Sequence, residues 1–303
     1  MNKWSFPFLV ILSTSLMGSS FAIGKIGLNY SSPILLVALR FTIAGLIMGL
    51  LVRLFKRNHP SKWKGWMKIY VIGFFQTTGV MACIFLSLRT ITAGESSILT
   101  FINPLLVVFF GTIFLKTRYF LLQWLGVIFG FLGVFITMGM TIHLQSGTLL
   151  GLGAAVSWSV ATILIKQWGE EFDHWVLTAY QMLFGGINLF VCSMLLEKPH
   201  FLISGTSITI LLWLAIMASI VQFAGWFTVL RKGDPGKTSA FLFLAPLFGV
   251  LSGWLLLDEK LGVNVLFGGI LTFIGIFLVN WNPLSRRESR LKKAYHINGE
   301  SVH

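Results

Sequence analysis

Charge is what this chain lacks. Only 11% of its 303 residues are Asp, Glu, Lys or Arg, against roughly 25% in soluble domains. The shortage is worst for acids, since Glu95 is the sole carboxylate before Glu170. No Asp or Glu falls near the middle of any long apolar stretch, which removes an obvious proton-exchange carboxylate. Two cysteines, Cys83 and Cys192, lie inside apolar stretches without ligand-like spacing, so they read as small packing residues. The histidines (His59, His143, His174, His200, His296, His303) are scattered over loops and tail with no metal-binding spacing. No Gly-rich loop ends in Lys-Ser or Lys-Thr, the pattern that cradles nucleotide phosphates. No metal, nucleotide or other cofactor is implied.

Long apolar runs are what the chain has. Mean hydropathy is +0.83. Ten stretches of about 20 residues each suffice to cross about 30 Å of hydrocarbon: 5–23, 33–54, 67–88, 95–115, 121–140, 147–166, 175–196, 207–230, 237–257 and 261–281. The first 22 residues also read as a leader, with Ser-Ser-Phe-Ala before Ile23, but a matching mid-chain stretch favours a span. The expected fold is an all-α integral membrane protein with ten transmembrane helices.

The net charge of +13 is distributed by side. Of the 23 Lys and Arg, four (Lys25, Arg89, Lys198, Lys260) lie on one side, Arg40 lies within a span, and the remaining 18 occupy the other. The positive-inside rule makes the 18-residue side cytoplasmic, with both termini there and the protein in a bacterial inner (plasma) membrane. The basic tail, 283–303, is expected to rest on anionic lipid. No folded nucleic-acid module accompanies it, so no nucleic-acid partner is expected. A homodimer is an admissible assembly.

A shift of 142 residues aligns 85–135 with 227–277 and gives 16 identities in 51 pairs, among them Arg89/Arg231, Ser97/Ser239, Pro104/Pro246, Gly111/Gly253 and Gly126/Gly268. A shift of 141 aligns the earlier part, pairing Lys25 with Lys166, Arg40 with Gln181 and Gly45 with Gly186. The chain therefore divides into repeats at 5–140 and 147–282. Five spans per repeat is odd, so the second repeat enters the membrane from the opposite side. Inverted repeats with a site at their interface are a transporter signature, because two near-equivalent conformations can open to opposite faces.

Several motifs carry a family resemblance. They are "MGSSFAIGKIG" (17–27), "ALRF" (38–41), "INPLLVVFFG" (102–111), "LAPLFGVLSG" (244–253) and "LLLDEKL" (255–261). On these the chain resembles the EamA-type members of the drug/metabolite transporter superfamily, over nearly all of 5–281. Two departures stand out. Met17 sits where a Trp often precedes Gly-Ser, a place that Trp158 fills in the second repeat. "LKTRY" (115–119) has no acid matching Glu259. The resemblance implies a small-metabolite transporter whose fourth and ninth helices flank a central cavity. Small multidrug exporters of that superfamily use an embedded Glu in the first helix, which has no match here.

The candidate site residues are polar groups inside spans. Pro104 and Pro246 are expected to kink the fourth and ninth spans, because proline removes a hydrogen bond and frees a carbonyl. Asn103 adds an amide in one half only. Arg40 lies about 10 Å into its span at 1.5 Å per residue, where insertion of a charge costs about 2.5–3.5 kcal/mol. It reads either as a partner for a substrate carboxylate or phosphate or as a structural donor to backbone carbonyls. Gln76, Gln181, Gln222, Ser19 and Thr162 supply neutral hydrogen-bonding groups, and Trp158, Trp226 and Trp254 offer apolar walls. Glu95 reads as a helix N-terminal residue, or as an external partner of Arg40 or a coupling site. Gly45/Gly49 and Gly126/Gly130 form close-packing steps.

This inventory suits a small neutral or zwitterionic metabolite, such as an amino acid, exported by alternating access. The rivals are an integral-membrane enzyme, which needs clustered acid-base or metal groups at one face, and a non-transporting receptor or scaffold.

Overall fold

A computed structural model of the chain describes residues 5–114, 116, 120–137, 145–232, 241, 244–260 and 262–280. Among these, regular structure is helical apart from one isolated antiparallel bridge between Ser31 and Phe201. Seven helices are long and apolar enough to span a bilayer: Phe6–Gly27, Pro33–Leu54, Trp63–Ser87, Ala93–Phe114, Ser146–Glu171, His174–Leu196 and Gly205–Trp226. Three shorter apolar helices are Leu121–Ile136, Leu244–Leu257 and Val263–Val279. In chain order they fall on the ten expected segments, which are numbered first to tenth below; length alone qualifies seven. The basic tail, 283–303, lies outside the described residues.

The helices begin where the sequence supplies caps. Pro33 opens the second helix, its missing N–H being one the first turn leaves unbonded anyway. Thr92 and Glu95 form a reciprocal capping box at the fourth, and Asp173 accepts from Trp175 and Val176 N–H at the seventh. Both faces of these helices are apolar, as lipid requires. On the second helix, Leu46, Leu50 and Leu54 point outward while Ala44, Met48 and Val52 are buried.

Packing partners come in symmetry-related sets. The first helix packs on the eighth and ninth, and the sixth on the third and fourth; the second pairs with the seventh, and the fifth with the tenth. Each pairing maps onto itself or another when the repeats are exchanged, as a twofold axis between inverted repeats demands. Small residues permit the closest crossings. A Cβ at Gly45 would lie 2.5 Å from the Leu183 nitrogen, and one at Gly186 would lie 2.6 Å from the Thr42 nitrogen. Since 42 and 183 differ by 141, these are one contact made twice. Gly126 likewise abuts Gly275 on the tenth helix. Gly49, expected to extend the first of these steps, meets nothing within 4 Å.

Three helices are interrupted. The third contains a π-helical segment, Phe74–Gly79, and the eighth another, Ile216–Val221. They coincide under the 142-residue shift, although their sequences, FFQTTG and IMASIV, share nothing. Such segments leave carbonyls without their usual partner and recur at functional sites. The fourth helix stops at Thr100 and restarts at Asn103. Pro104 therefore sits in the first turn of a new half-helix, where it loses no hydrogen bond. In place of a proline kink within one helix, a two-residue turn at Phe101 and Ile102 divides the span into two half-helices. In the ninth, Pro246 is likewise the third residue of Leu244–Leu257.

Candidate functional site

A cavity of about 510 Å³ lies between the repeats. Pro104 and Pro246 both line it, together with Asn103, Gln76, Gln181 and Gln222. Aromatic and aliphatic side chains make its walls, including Phe101, Trp158, Phe223 and Trp226. It reaches Gln123 and His174, near the starts of the fifth and seventh helices, and Val279, near the end of the tenth. The chamber therefore extends to the face that carries the basic loops.

A smaller lobe of about 50 Å³ continues it inward. Met17, Gln76, Phe101, Trp158, Gln222 and Phe223 line both spaces. The lobe adds Ser20, Phe85 and Arg40. Among the described residues, Arg40 is the sole Asp, Glu, Lys or Arg in either lining.

The side-chain amides of Gln76, Asn103, Gln181 and Gln222 have no hydrogen-bond partner among the described residues, and the Gln181 Oε1 is wholly enclosed without one. The fifth carboxamide of the lining, Gln123, donates to the Val279 carbonyl at 3.0 Å. Buried polar groups are usually paired. Unpaired amides grouped on one chamber are donors and acceptors available to a solute or to water. Thr162 also lines the chamber, though its hydroxyl donates to the Trp158 carbonyl at 2.9 Å.

Arg40 is 3% exposed. Its Nη2 donates to the Ala218 carbonyl at 2.8 Å and its Nε to the Ser219 hydroxyl at 2.9 Å. That hydroxyl in turn donates to the Leu214 carbonyl at 3.0 Å. The guanidinium thus serves one carbonyl of the π-helical segment directly and, through Ser219, the Leu214 carbonyl just before it. In the other repeat, Ser157 does the same work by donating to the Phe75 carbonyl at 2.8 Å. Glu95 does not approach Arg40 as a partner. Its carboxylate accepts from the Thr92 N–H at 2.9 Å and from the Thr92 hydroxyl at 3.0 Å.

Ser19 is not brought to the cavity. Its hydroxyl donates to the Ser15 carbonyl at 2.7 Å within its own helix, and the neighbouring Ser20 lines the lobe instead. Trp254 is half exposed on the outside of the bundle and builds no wall.

Sequence reasoning missed how the opposite face is tied. Glu259, following the ninth helix, accepts from Lys25 Nζ at 2.9 Å and from the Ala93 N–H at 2.8 Å, at the start of the fourth helix. Lys25 Nζ also donates to the Ile91 carbonyl at 2.9 Å. Glu197 similarly accepts from the Leu35 N–H at 2.9 Å, at the start of the second. Carboxylates of the second repeat thus cap helices of the first, complementing their positive ends. The signal was available: Lys25 and Glu259 are opposite charges on one face, within the 17–27 and 255–261 motifs respectively.

A duplicated helical bundle with a polar-spotted chamber between its halves defines a multi-pass membrane transporter. A sequence profile of the EamA-like transporter family matches residues 4–139 and again 145–281. The chain belongs to that family, within the drug/metabolite transporter superfamily. It is 29% identical to the uncharacterized transporter YvbV of Bacillus subtilis (strain 168), over 94% of this chain and 93% of that protein. It is 24% identical to the protein PecM of Dickeya dadantii (strain 3937), over 91% and 92%. A crystal structure of a protein 20% identical superposes with a TM-score of 0.65, covering 92% of this chain and 98% of the other; it shares the fold.

Proposed function

We propose that the chain exports a small neutral or zwitterionic metabolite, an amino acid or a close relative, by alternating access across a bacterial inner membrane, with both termini cytoplasmic. The observation that carries this reading is the central chamber. Its four unpartnered carboxamides offer hydrogen bonds without charge, and its aromatic walls suit an apolar side chain. The chamber extends to the basic face while Glu259 and Glu197 tie the other face shut, an arrangement that takes up solute from the cytoplasm. Exchange of the two openings would turn on the broken fourth helix and the two π-helical segments, since interrupted helices bend where backbone hydrogen bonds are missing. The basic tail rests on anionic lipid in this scheme.

Purified protein in liposomes tests it. Preloaded unlabelled neutral amino acids should drive counterflow of the same labelled solute above that of protein-free vesicles. Uptake no faster than in empty vesicles across that panel would refute the substrate class. An enzyme or scaffold would move nothing down a gradient. The inverted arrangement is tested separately by tags at the amino terminus and at Leu149, which should be reached by impermeant reagents from opposite faces.

A further inference from the structure

We infer that the inner lobe is a binding site for a compact univalent anionic group, held by Arg40 with help from Gln76 and Gln222. The argument starts from charge. Guanidinium stays protonated in proteins, and a buried charge without a counter-charge is strongly disfavoured. Arg40 is buried in the span, yet among the described residues no carboxylate pairs with it; the ion pairs there are Lys25–Glu259, Arg57–Asp173 and Lys68–Glu171. Its two hydrogen bonds go to a neutral carbonyl and a hydroxyl, so they orient the group without neutralising it.

Those bonds use Nε and Nη2. Nη1 has no hydrogen-bond partner among the described residues. The Phe41 ring covers one face of the guanidinium, 4.7 Å from the central carbon to the ring centroid. What remains is an edge with free donors bordering a cavity. The lobe's 50 Å³ is several times the about 10–15 Å³ that one water needs, room for a carboxylate head or a halide. Gln76 and Gln222 line the same lobe with unpartnered amides, whereas the Ser20 hydroxyl there donates to the Met17 carbonyl at 2.7 Å. Guanidinium and amide N–H groups converging on one small space are the donor set that anionic oxygens take. The equivalent position in the other repeat holds neutral Gln181, so this site exists once, on one side of the pseudo-symmetric chamber.

Two sources can supply the anion: the carboxylate of a zwitterionic solute whose body fills the larger chamber, or a free halide. The first deepens the transport reading and rests on it; binding itself does not. Thermal unfolding of the purified full chain separates them. The reference buffer contains a bulky sulfonate as its sole anion, and chloride, acetate or glycine is then added at constant ionic strength. A saturating binder is expected to raise the melting temperature by about 2–4 °C. A rise with chloride assigns the lobe to a free anion. A rise with acetate and glycine but not chloride assigns it to the solute carboxylate. No rise with any of them overturns the site. Arg40→Gln should abolish the rise. Because that variant also strands the Ala218 carbonyl, Gln222→Leu serves as the second test: it keeps both Arg40 hydrogen bonds and should at least halve the rise, and an undiminished rise in it would overturn the proposed cradle. A flat melting response beside intact counterflow would sink the site and spare the transport reading; the reverse pattern would do the opposite.

Discussion

Residues 40 and 181 occupy equivalent places in the two repeats, yet one is a guanidinium engaged with a π-helical segment and the other an amide with an unpartnered oxygen. The same inequality recurs nearby. The first π-helical segment is served by a serine hydroxyl, the second by Arg40. Glu259 ties one face, while its equivalent in the first repeat is Thr117. Backbone architecture is thus duplicated more faithfully than side-chain chemistry. Two-way opening needs only the shared architecture. Favouring one solute and one resting conformation needs the halves to differ.

The comparison is broken most severely at the doubled crossing. Gly186→Leu should destabilise the protein by about 3 kcal/mol, since the new side chain must displace Thr42 backbone, and thermal unfolding of purified protein would register the loss. Gly49→Leu, in open space, should leave the melting temperature unchanged or slightly higher; an equal loss at both positions would contradict the packing described. Next in size is the tie at the opposite face. Glu259→Gln should raise the reactivity of a cysteine placed at Ser20, in a variant lacking Cys83 and Cys192, toward an impermeant maleimide from that face by about tenfold, corresponding to about 1.4 kcal/mol. Lys25→Ala in the same background should add little, because the pair acts as a unit.

Smaller effects sharpen the contrast between the π-helical segments. Ser157→Ala leaves the Phe75 carbonyl without its donor and should cost about 1 kcal/mol, seen as a lower melting temperature with flux retained. Smallest is Glu95→Ala. Loss of its capping interaction should cost about 0.5–1 kcal/mol and leave solute counterflow and its pH profile intact. A collapsed pH profile would instead make Glu95 a coupling site.

The sequence by itself determined the class. Too few charges, repeated apolar stretches and residues shared at a fixed shift compel helices in lipid and a doubled bundle, because water is absent there and each segment must satisfy its own backbone. It also marked Asn103, Gln76, Gln181 and Gln222, since an amide inside an apolar helix needs a reason to be there. Only the tertiary structure decided which polar groups are spent and which remain free. Ser19 and Ser20 are adjacent and chemically alike, and both donate to carbonyls of their own helix, yet helix rotation places only Ser20 at the lobe. Carbonyls of the paired π-helical segments take donors from other helices, Ser157 to Phe75 and Arg40 to Ala218, brought close by the fold. Glu259 and Lys25 are 234 residues apart, and no local propensity joins them; the packing of the first, fourth and ninth helices does.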